Sequence, residues 1–372
     1  VLEIDYENRV AVVQTGITNL AISNAVSKEC FFYAPDPSSQ LACTLAGNLA
    51  MNSGGAHCLK YGVTTNNVLG LKMVLIDGEI VEIGGPYLDS PGYDLLGLII
   101  GSEGQFGIIT EATVRILRAA EQARPMLMGF ESTEAAGACV SAIIGSGIIP
   151  VAIEYMDKPA IEVCEAFAKA GYPLDVEALL IVEVEGSNEE IEDLLARIVK
   201  IAEPFKPRTV KVSSSPAESA KIWKGRKSAF GAIGRISEYY CMDGTIPLKQ
   251  LPHVLTRISE ICGSHGLKVA NIFHAGDGNL HPLILYNAND PVEVEKAEKA
   301  GAEILKLCVE VGGCLTGEHG VGIEKRDLMR HQFSETDLLV QMRIKSVFDP
   351  EWLLNPAKVF PLAERIMLDK AA

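Results

Sequence analysis

At 372 residues and 40.0 kDa, with 48% hydrophobic and 22% charged residues, the chain has the composition of an ordinary soluble globular protein long enough for two domains. A net charge of −15 and a pI near 5.0 exclude non-specific binding to nucleic acid or anionic lipid, and an anionic substrate would need a local cationic pocket against that field. The nine cysteines are odd in number and contain no Cys-x-x-Cys pair, which excludes a disulfide framework and implies reduced thiols in a cytosolic setting.

The chain opens on Val1 in what reads as mid-domain, so an N-terminal truncation is expected. No signal peptide is visible, and no Gly-x-Gly-x-x-Gly follows a strand, which weighs against a nicotinamide-binding unit. Residues 9–15 predict a strand and 17–28 a short helix begun near Thr15 or Thr18. Residues 34–65 are rich in Gly, Asn, Ser and Pro and weakly periodic. Ala46-Gly47-Asn48 and Asn52-Ser53-Gly54-Gly55 offer backbone and amide groups with few bulky side chains, which suits a loop closing on a flat or phosphorylated ligand. Leu71–Ile83 predicts a hairpin about Asp77-Gly78. Asp94–Ile100 predicts a helix, and Ile108–Leu117 a strand. Between the last two, Gly101-Ser102-Glu103-Gly104-Gln105-Phe106-Gly107 marks either a tight turn or backbone that approaches a ligand.

After Arg124 strands and helices alternate. Strands are expected at 126–131, 149–156, 178–185 and 208–213, with helices at 133–145, 158–170, 188–203 and 216–228. Residues 135–153 carry no charge, but Gly145, Gly147 and Pro150 interrupt them, so a buried helix, a turn and a strand fit better than a membrane span. Further on come strands near 235–247, a helix at 248–264, a hairpin at 267–285, a charge-striped helix at 291–312, and helices at 324–331 and 335–347. The rhythm predicts an α+β fold, with helices over one face of an antiparallel sheet and a boundary near residue 120.

The 267–285 hairpin carries the clearest chemistry. His274 and His281 bracket His-Ala-Gly-Asp-Gly-Asn-Leu-His, and Asp277-Gly278 is a favoured two-residue turn. With those two residues as the loop, 274 pairs with 281 and both imidazoles share one sheet face, about 4.5–5.5 Å apart at Cβ. Glu318, in Leu-Thr-Gly-Glu-His-Gly, would supply a third ligand, giving a two-His, one-carboxylate cation site with an open position. Zinc, manganese and iron(II) all tolerate such ligands. His319 adjoins Glu318 and suits a general base, because imidazole titrates near neutral pH.

Several stretches together resemble the FAD-linked oxidases of the vanillyl-alcohol oxidase type, and within them the glycolate oxidase (glycolate dehydrogenase) catalytic-subunit branch. These are Pro35-Asp36-Pro37-Ser38-Ser39-Gln40, His57-Cys58-Leu59-Lys60-Tyr61-Gly62, Gly101-Ser102-Glu103-Gly104, Gly225-Arg226-Lys227, Asn271 to Asn279 and Gly317-Glu318-His319-Gly320. The resemblance implies the C-terminal part of a p-cresol methylhydroxylase (PCMH)-type FAD-binding domain over 1–120, its N-terminal lobe missing. A ferredoxin-like α+β substrate (cap) domain would follow over 121–372, its tail returning to the flavin.

It implies FAD contacts at Pro35, Ser38, Gly47, Asn48, Gly54, Lys60, Tyr61, Gly62, Glu103, Gly104, Gly107, Ile108 and Asn355. It implies metal ligands at His274, His281 and Glu318, a base at His319, and a substrate-carboxylate grip at Arg226. Without it Arg226 reads as a solvated helix residue. The implied reaction is oxidation of a small 2-hydroxy acid, glycolate or D-lactate, to the 2-oxo acid with hydride passing to flavin N5. The apolar Pro282-Leu283 and Cys241-Met242 favour a small substrate over a dicarboxylate. Implied partners are a second FAD-domain subunit and an iron–sulfur subunit, with a cytoplasmic location peripheral to the inner membrane and no span of its own. The helix at 291–312, with Glu293, Glu295, Lys296, Glu298 and Lys299, is either a partner face or a solvated surface. A metal-dependent hydrolase using the same His, His and Glu, or a non-catalytic binding fragment, are the competing classes.

Overall fold

Val10–Gln14 buries Val10, Ala11 and Val13, with Ala11 and Val13 on one face, and exposes Gln14 at its end. It pairs with Glu3–Asp5 on one side and Ile108–Arg115 on the other; Val68–Val74 and Ile80–Gly84 complete a five-stranded antiparallel sheet. The computed structural model describes residues 1–87 and 92–362. Chain contacts divide the molecule into one unit of Val1–Ala119 with Glu318–Ala372 and another of Ala120–Gly317. The break at 119/120 falls where the sequence changes character. Residues 318–362 cluster with the first unit, as the tail expected to return to the flavin side would.

The reason is apolar. Phe348 stacks on Phe106 with ring centroids 4.7 Å apart, and Ile344 packs into the core formed by Ile22, Leu45, Leu49, Met73, Ile99 and Val114. Both residues come from the helix Glu335–Phe348, which is started by a Ser334/Asp337 capping box. Lys345 of that helix has no exposed surface. It donates to the Gln105 carbonyl (2.7 Å) and the Leu354 carbonyl (3.1 Å), and is paired with the equally buried Asp349.

The stretch 34–65, expected to be structureless, contains the helix Leu45–Met51 and a helical turn at Cys58–Tyr61. Thr44 caps the first by accepting from the Gly47 amide, and burial of the i, i+4 pair Leu45 and Leu49 outweighs the poor propensity of Gly47 and Asn48.

In the second unit, Gln122–Phe130, Ala152–Asp157, Ala178–Gly186 and Thr209–Val212 are the first to fourth strands of an antiparallel sheet in the spatial order fourth, first, third, second. That is the ferredoxin-like arrangement, here with the helix Lys158–Ala168 between the second and third strands. Lys268–His274 adds to the free edge of Ala152–Asp157, and Asn279–Leu280, Pro282–Tyr286, Glu238–Cys241 and Gly244–Thr245 extend the sheet. The central strands are buried at consecutive positions, Ala152 to Asp157 without a break. Both faces are therefore covered, where helices on one face were expected. One face meets Lys158–Ala168, Pro216–Lys227 and the unanticipated helix Ala229–Ile233, and the other meets Thr133–Gly145, Asn188–Ala202 and Leu251–Ser264.

Across 135–153 lie a helix, a turn and the start of a strand, and among the described residues no helix is long and apolar enough to cross a membrane. None of the nine cysteines is in a disulfide. The charge-striped helix spans Pro291–Glu310. It buries Ala297, Ala300, Ile304 and Leu305 and carries a Lys299–Glu295 pair outward.

Asp157 caps Lys158–Ala168 through the Ala160 amide and accepts from both the backbone and the side-chain nitrogen of Asn271, yet burial pushes its carboxyl up to about 6. With the folded value above the unfolded one of 3.8, the native state holds the proton longer, and stability falls as pH rises from about 4 to 6. Two pK units correspond to about 3 kcal/mol. Relative to Asp157→Asn, the wild type is expected to lose that amount between pH 4 and 6.5 in urea titrations. A constant difference between the two proteins across that range would refute the assignment.

Candidate active site

Lys268–His274 and the strands after it do not pair in the register set by a two-residue loop. His274 lies opposite Asn279 and Asn271 opposite Pro282, so the ladder is displaced by two positions from a 274–281 pairing. The cause is outside the hairpin: the amides of Ala275 and Gly276 both donate to the Ile153 carbonyl, at 2.7 and 3.2 Å, so the chain keeps pairing with its other neighbour before turning. The turn then spans 275–278, with Gly278 at φ +78°. A shift of one residue would have reversed every side chain, whereas a shift of two preserves the face. His274 and His281 accordingly meet, their ring centroids 5.3 Å apart and their planes at 87°.

Behind His274 sits Glu154, fully buried in the strand Ala152–Asp157. Its Oε1 lies 2.8 Å from His274 Nδ1. Its Oε2 takes Arg226 Nε at 2.7 Å and lies 2.6 Å from a terminal nitrogen of the same guanidinium. Burial alone would raise the Glu154 carboxyl, but Arg226 and His274 beside it outweigh that and hold it below the ordinary carboxylate range. An ionised carboxylate only accepts, so His274 Nδ1 is the donor in this contact. Arg226, 4% exposed, is no solvated helix residue. Its neighbours Lys227 and Arg235 lie over the rings of Trp223 and Phe167.

A second buried carboxylate, Asp243, accepts from Asn279 Nδ2 (2.9 Å), Thr316 Oγ1 (2.5 Å) and the Gly317 amide (3.1 Å), and its Oδ1 is 4.0 Å from His281 Nδ1. It fixes the residue that immediately precedes Glu318. Of the four residues expected to keep the substrate small, Met242 and Leu283 are core residues and Pro282 is buried. Cys241 alone is half-buried.

The first unit gathers many of the expected flavin-side residues. The Gly101 amide donates to the Leu49 carbonyl and the Glu103 amide to the Ala50 carbonyl, which sets the loop 101–107 against the helix bearing Gly47 and Asn48. Glu103, at φ +54°, gives its carboxylate to the amides of Val321 (2.6 Å) and Gly322 (2.8 Å) and its carbonyl to Asn355 Nδ2 (2.5 Å). Gly54 abuts the Glu318 carboxylate so closely that a Cβ there would lie 2.7 Å from Oε2. His319 Nε2 is 4.0 Å from Glu318 Oε1, and the His319 side chain is 46% exposed.

The Asn48 amide nitrogen is buried and has no hydrogen-bond partner among the described residues, which is a donor left over for a ligand or water. Pro35 is buried, and the adjacent Asp36 holds His57 through Nδ1 at 2.8 Å. Lys60 lies over the Tyr61 ring, which meets Phe32 edge-on, and Gly62 follows at φ +76°. Ser38 and Ile108 are exposed, and a Cβ at Gly107 would run into Met73 and the Val74 carbonyl.

Glu154, Asp243 and the Asp36–His57 pair were not anticipated. A lone acid inside the apolar run Ala152–Met156 was the available signal for Glu154. Nothing in the sequence pairs it with Arg226.

Residues 1–84 match the FAD binding domain family and residues 119–359 the C-terminal domain of FAD linked oxidases. The chain is 48% identical to glycolate oxidase subunit GlcD of Escherichia coli K12 over 98% of its own length and 73% of that protein's. It is 31% identical to D-lactate dehydrogenase of Anaerostipes hadrus over 96% and 78%. Among solved structures, 4-ethylphenol oxidase from Gulosibacter chungangensis superimposes with a TM-score of 0.78 at 16% identity, over 98% of this chain and 79% of that one. p-Cresol methylhydroxylase gives 0.78 at 14%, over 97% and 78%. The chain belongs to the FAD-linked oxidase family, and its cofactor is FAD.

Proposed function

We propose that this chain oxidises a small 2-hydroxy acid, glycolate before D-lactate, to the 2-oxo acid, with His274, His281 and Glu318 as ligands of a divalent metal ion. The observation that carries the reading is the facing pair of imidazoles 5.3 Å apart, one of them with Nδ1 committed to a buried carboxylate. Two neutral imidazoles and a carboxylate suit zinc, manganese or iron(II). FAD, held on the side of Gly47, Asn48 and Asn355, would supply the hydride acceptor, and a metal ion held by His274, His281 and Glu318 would polarise the substrate hydroxyl.

The chain's own residues do the rest. The side of the Arg226 guanidinium turned away from Glu154 binds the substrate carboxylate and so fixes the direction of the Cα–H bond. His319 takes the hydroxyl proton as the hydride leaves Cα, and both electrons of the C–H bond go with the hydride. Gly47, Asn48, Gly54, Glu103, Gly104 and Asn355 shape the flavin side, with the unpartnered Asn48 amide as a donor to the cofactor.

The preference for glycolate rests on the relative at 48% identity; D-lactate is the second reading, supported by the relatives near 31%. That relative is itself named a subunit, which supports assembly with further subunits; the partners proposed are a second flavin-domain chain and an iron–sulfur chain that takes the electrons to the inner membrane. Anaerobic addition of glycolate, and separately of D-lactate, to the FAD-loaded protein tests the proposal. Bleaching of the flavin absorption is expected, faster with glycolate, and no bleaching with either acid would overturn it.

A further inference from the structure

Glu154 faces two groups with different tasks, and each of its oxygens serves one of them. Oε1 meets His274 Nδ1 at 2.8 Å, while Oε2 meets Arg226 Nε at 2.7 Å and a terminal nitrogen at 2.6 Å. The carboxylate is 0% exposed and Arg226 4%, so water cannot substitute for either contact. We propose that Glu154 is the positioning residue of this site, a single carboxylate that sets the tautomer of His274 and the attitude of Arg226 together. This rests on the reading of His274 as a metal ligand.

Glu154→Gln isolates the effect because it keeps the shape and removes one acceptor. Arg226 presents only donors, so the amide oxygen turns to it and the amide NH2 faces His274. Nδ1 must then accept, the proton moves to Nε2, and the lone pair that would bind a cation is lost. Removal of such a partner typically weakens metal affinity roughly 10- to 100-fold. Replacing Arg226 as well, in Glu154→Gln/Arg226→Met, removes both charges and frees the amide oxygen to accept from Nδ1 again. That variant also guards against misfolding of the single one, which leaves a buried guanidinium without its counter-charge.

The experiment uses the full 372-residue chain labelled with [15N]histidine. It reads the His274 ring nitrogens by NMR, with His274→Asn to assign them, and titrates zinc by calorimetry. The wild type is expected to show protonated Nδ1. Glu154→Gln should show protonated Nε2 and about 10- to 100-fold weaker zinc binding. The double variant should recover the Nδ1 tautomer and zinc affinity to within a few-fold of wild type, and should lose glycolate binding. A merely structural role would not move the ring proton. Glu154→Gln with the wild-type tautomer and zinc affinity would overturn the proposal. So would a double variant that folds and keeps the Nε2 tautomer, and that second result decides the matter if the single variant does not fold. Wild-type protein that takes up no zinc, manganese or iron(II) would instead overturn the metal reading, and the tautomer signal would still judge Glu154.

Discussion

His319→Asn is expected to slow anaerobic flavin reduction by glycolate about 10²- to 10⁴-fold, the usual contribution of a positioned general base. Metal content and FAD content should stay at wild-type levels. Asparagine keeps a polar side chain of similar reach but cannot take a proton near neutral pH. The His319 side chain is nearly half exposed. Stopped-flow absorbance reads the rate and elemental analysis reads the metal. Loss of metal in this variant would make His319 a ligand, and an unchanged rate would remove it from the chemistry.

Lys345→Met should be the most destabilising single change in the first unit. The ammonium and the Asp349 carboxylate are both without exposed surface, and breaking a buried pair by removing one partner costs about 3–5 kcal/mol. Burial would raise the Asp349 carboxyl, but Lys345 and the Leu353 and Leu354 amides outweigh it and hold it low; once Lys345 is gone, only the two amides oppose burial. Two carbonyls, of Gln105 and Leu354, lose their donor at the same time. These contacts hold the chain just before Asn355, whose carbonyl accepts from Gln105 and whose amide reaches Glu103, so FAD affinity should fall with stability. Urea unfolding and flavin titration check both. A variant within 1 kcal/mol of wild type would mean that Asp349 had found another counter-charge or taken up a proton.

Much of the fold was legible where periodicity and capping acted locally. Asp94, Ser132 and Ser187 each start a helix by accepting an amide three residues on, and the strands around them follow runs of buried apolar side chains. The helix at Leu45–Met51 was not legible, because burial of Leu45 and Leu49 decides it against the local preference of Gly47 and Asn48. At the candidate site, the shared face of His274 and His281 was readable because side-chain direction depends only on whether the register is odd or even. The register itself was not, since it is set by the Ile153 carbonyl, far off in sequence. Glu154 and Arg226 are 72 residues apart on a strand and a helix, and no spacing rule reaches that distance.

The order in which the chain is made now acquires a meaning. Residues 120–317 form one continuous stretch and possess their whole interior once Gly317 has been synthesised. The sheet begun by Val10–Gln14 lacks Ile344, Lys345 and Phe348 until much later, so its apolar surface waits uncovered while the middle of the protein folds. The unit matched by the FAD binding domain family therefore completes its core later than the middle of the chain, which places the hazard of premature aggregation in the strands around Val10–Gln14.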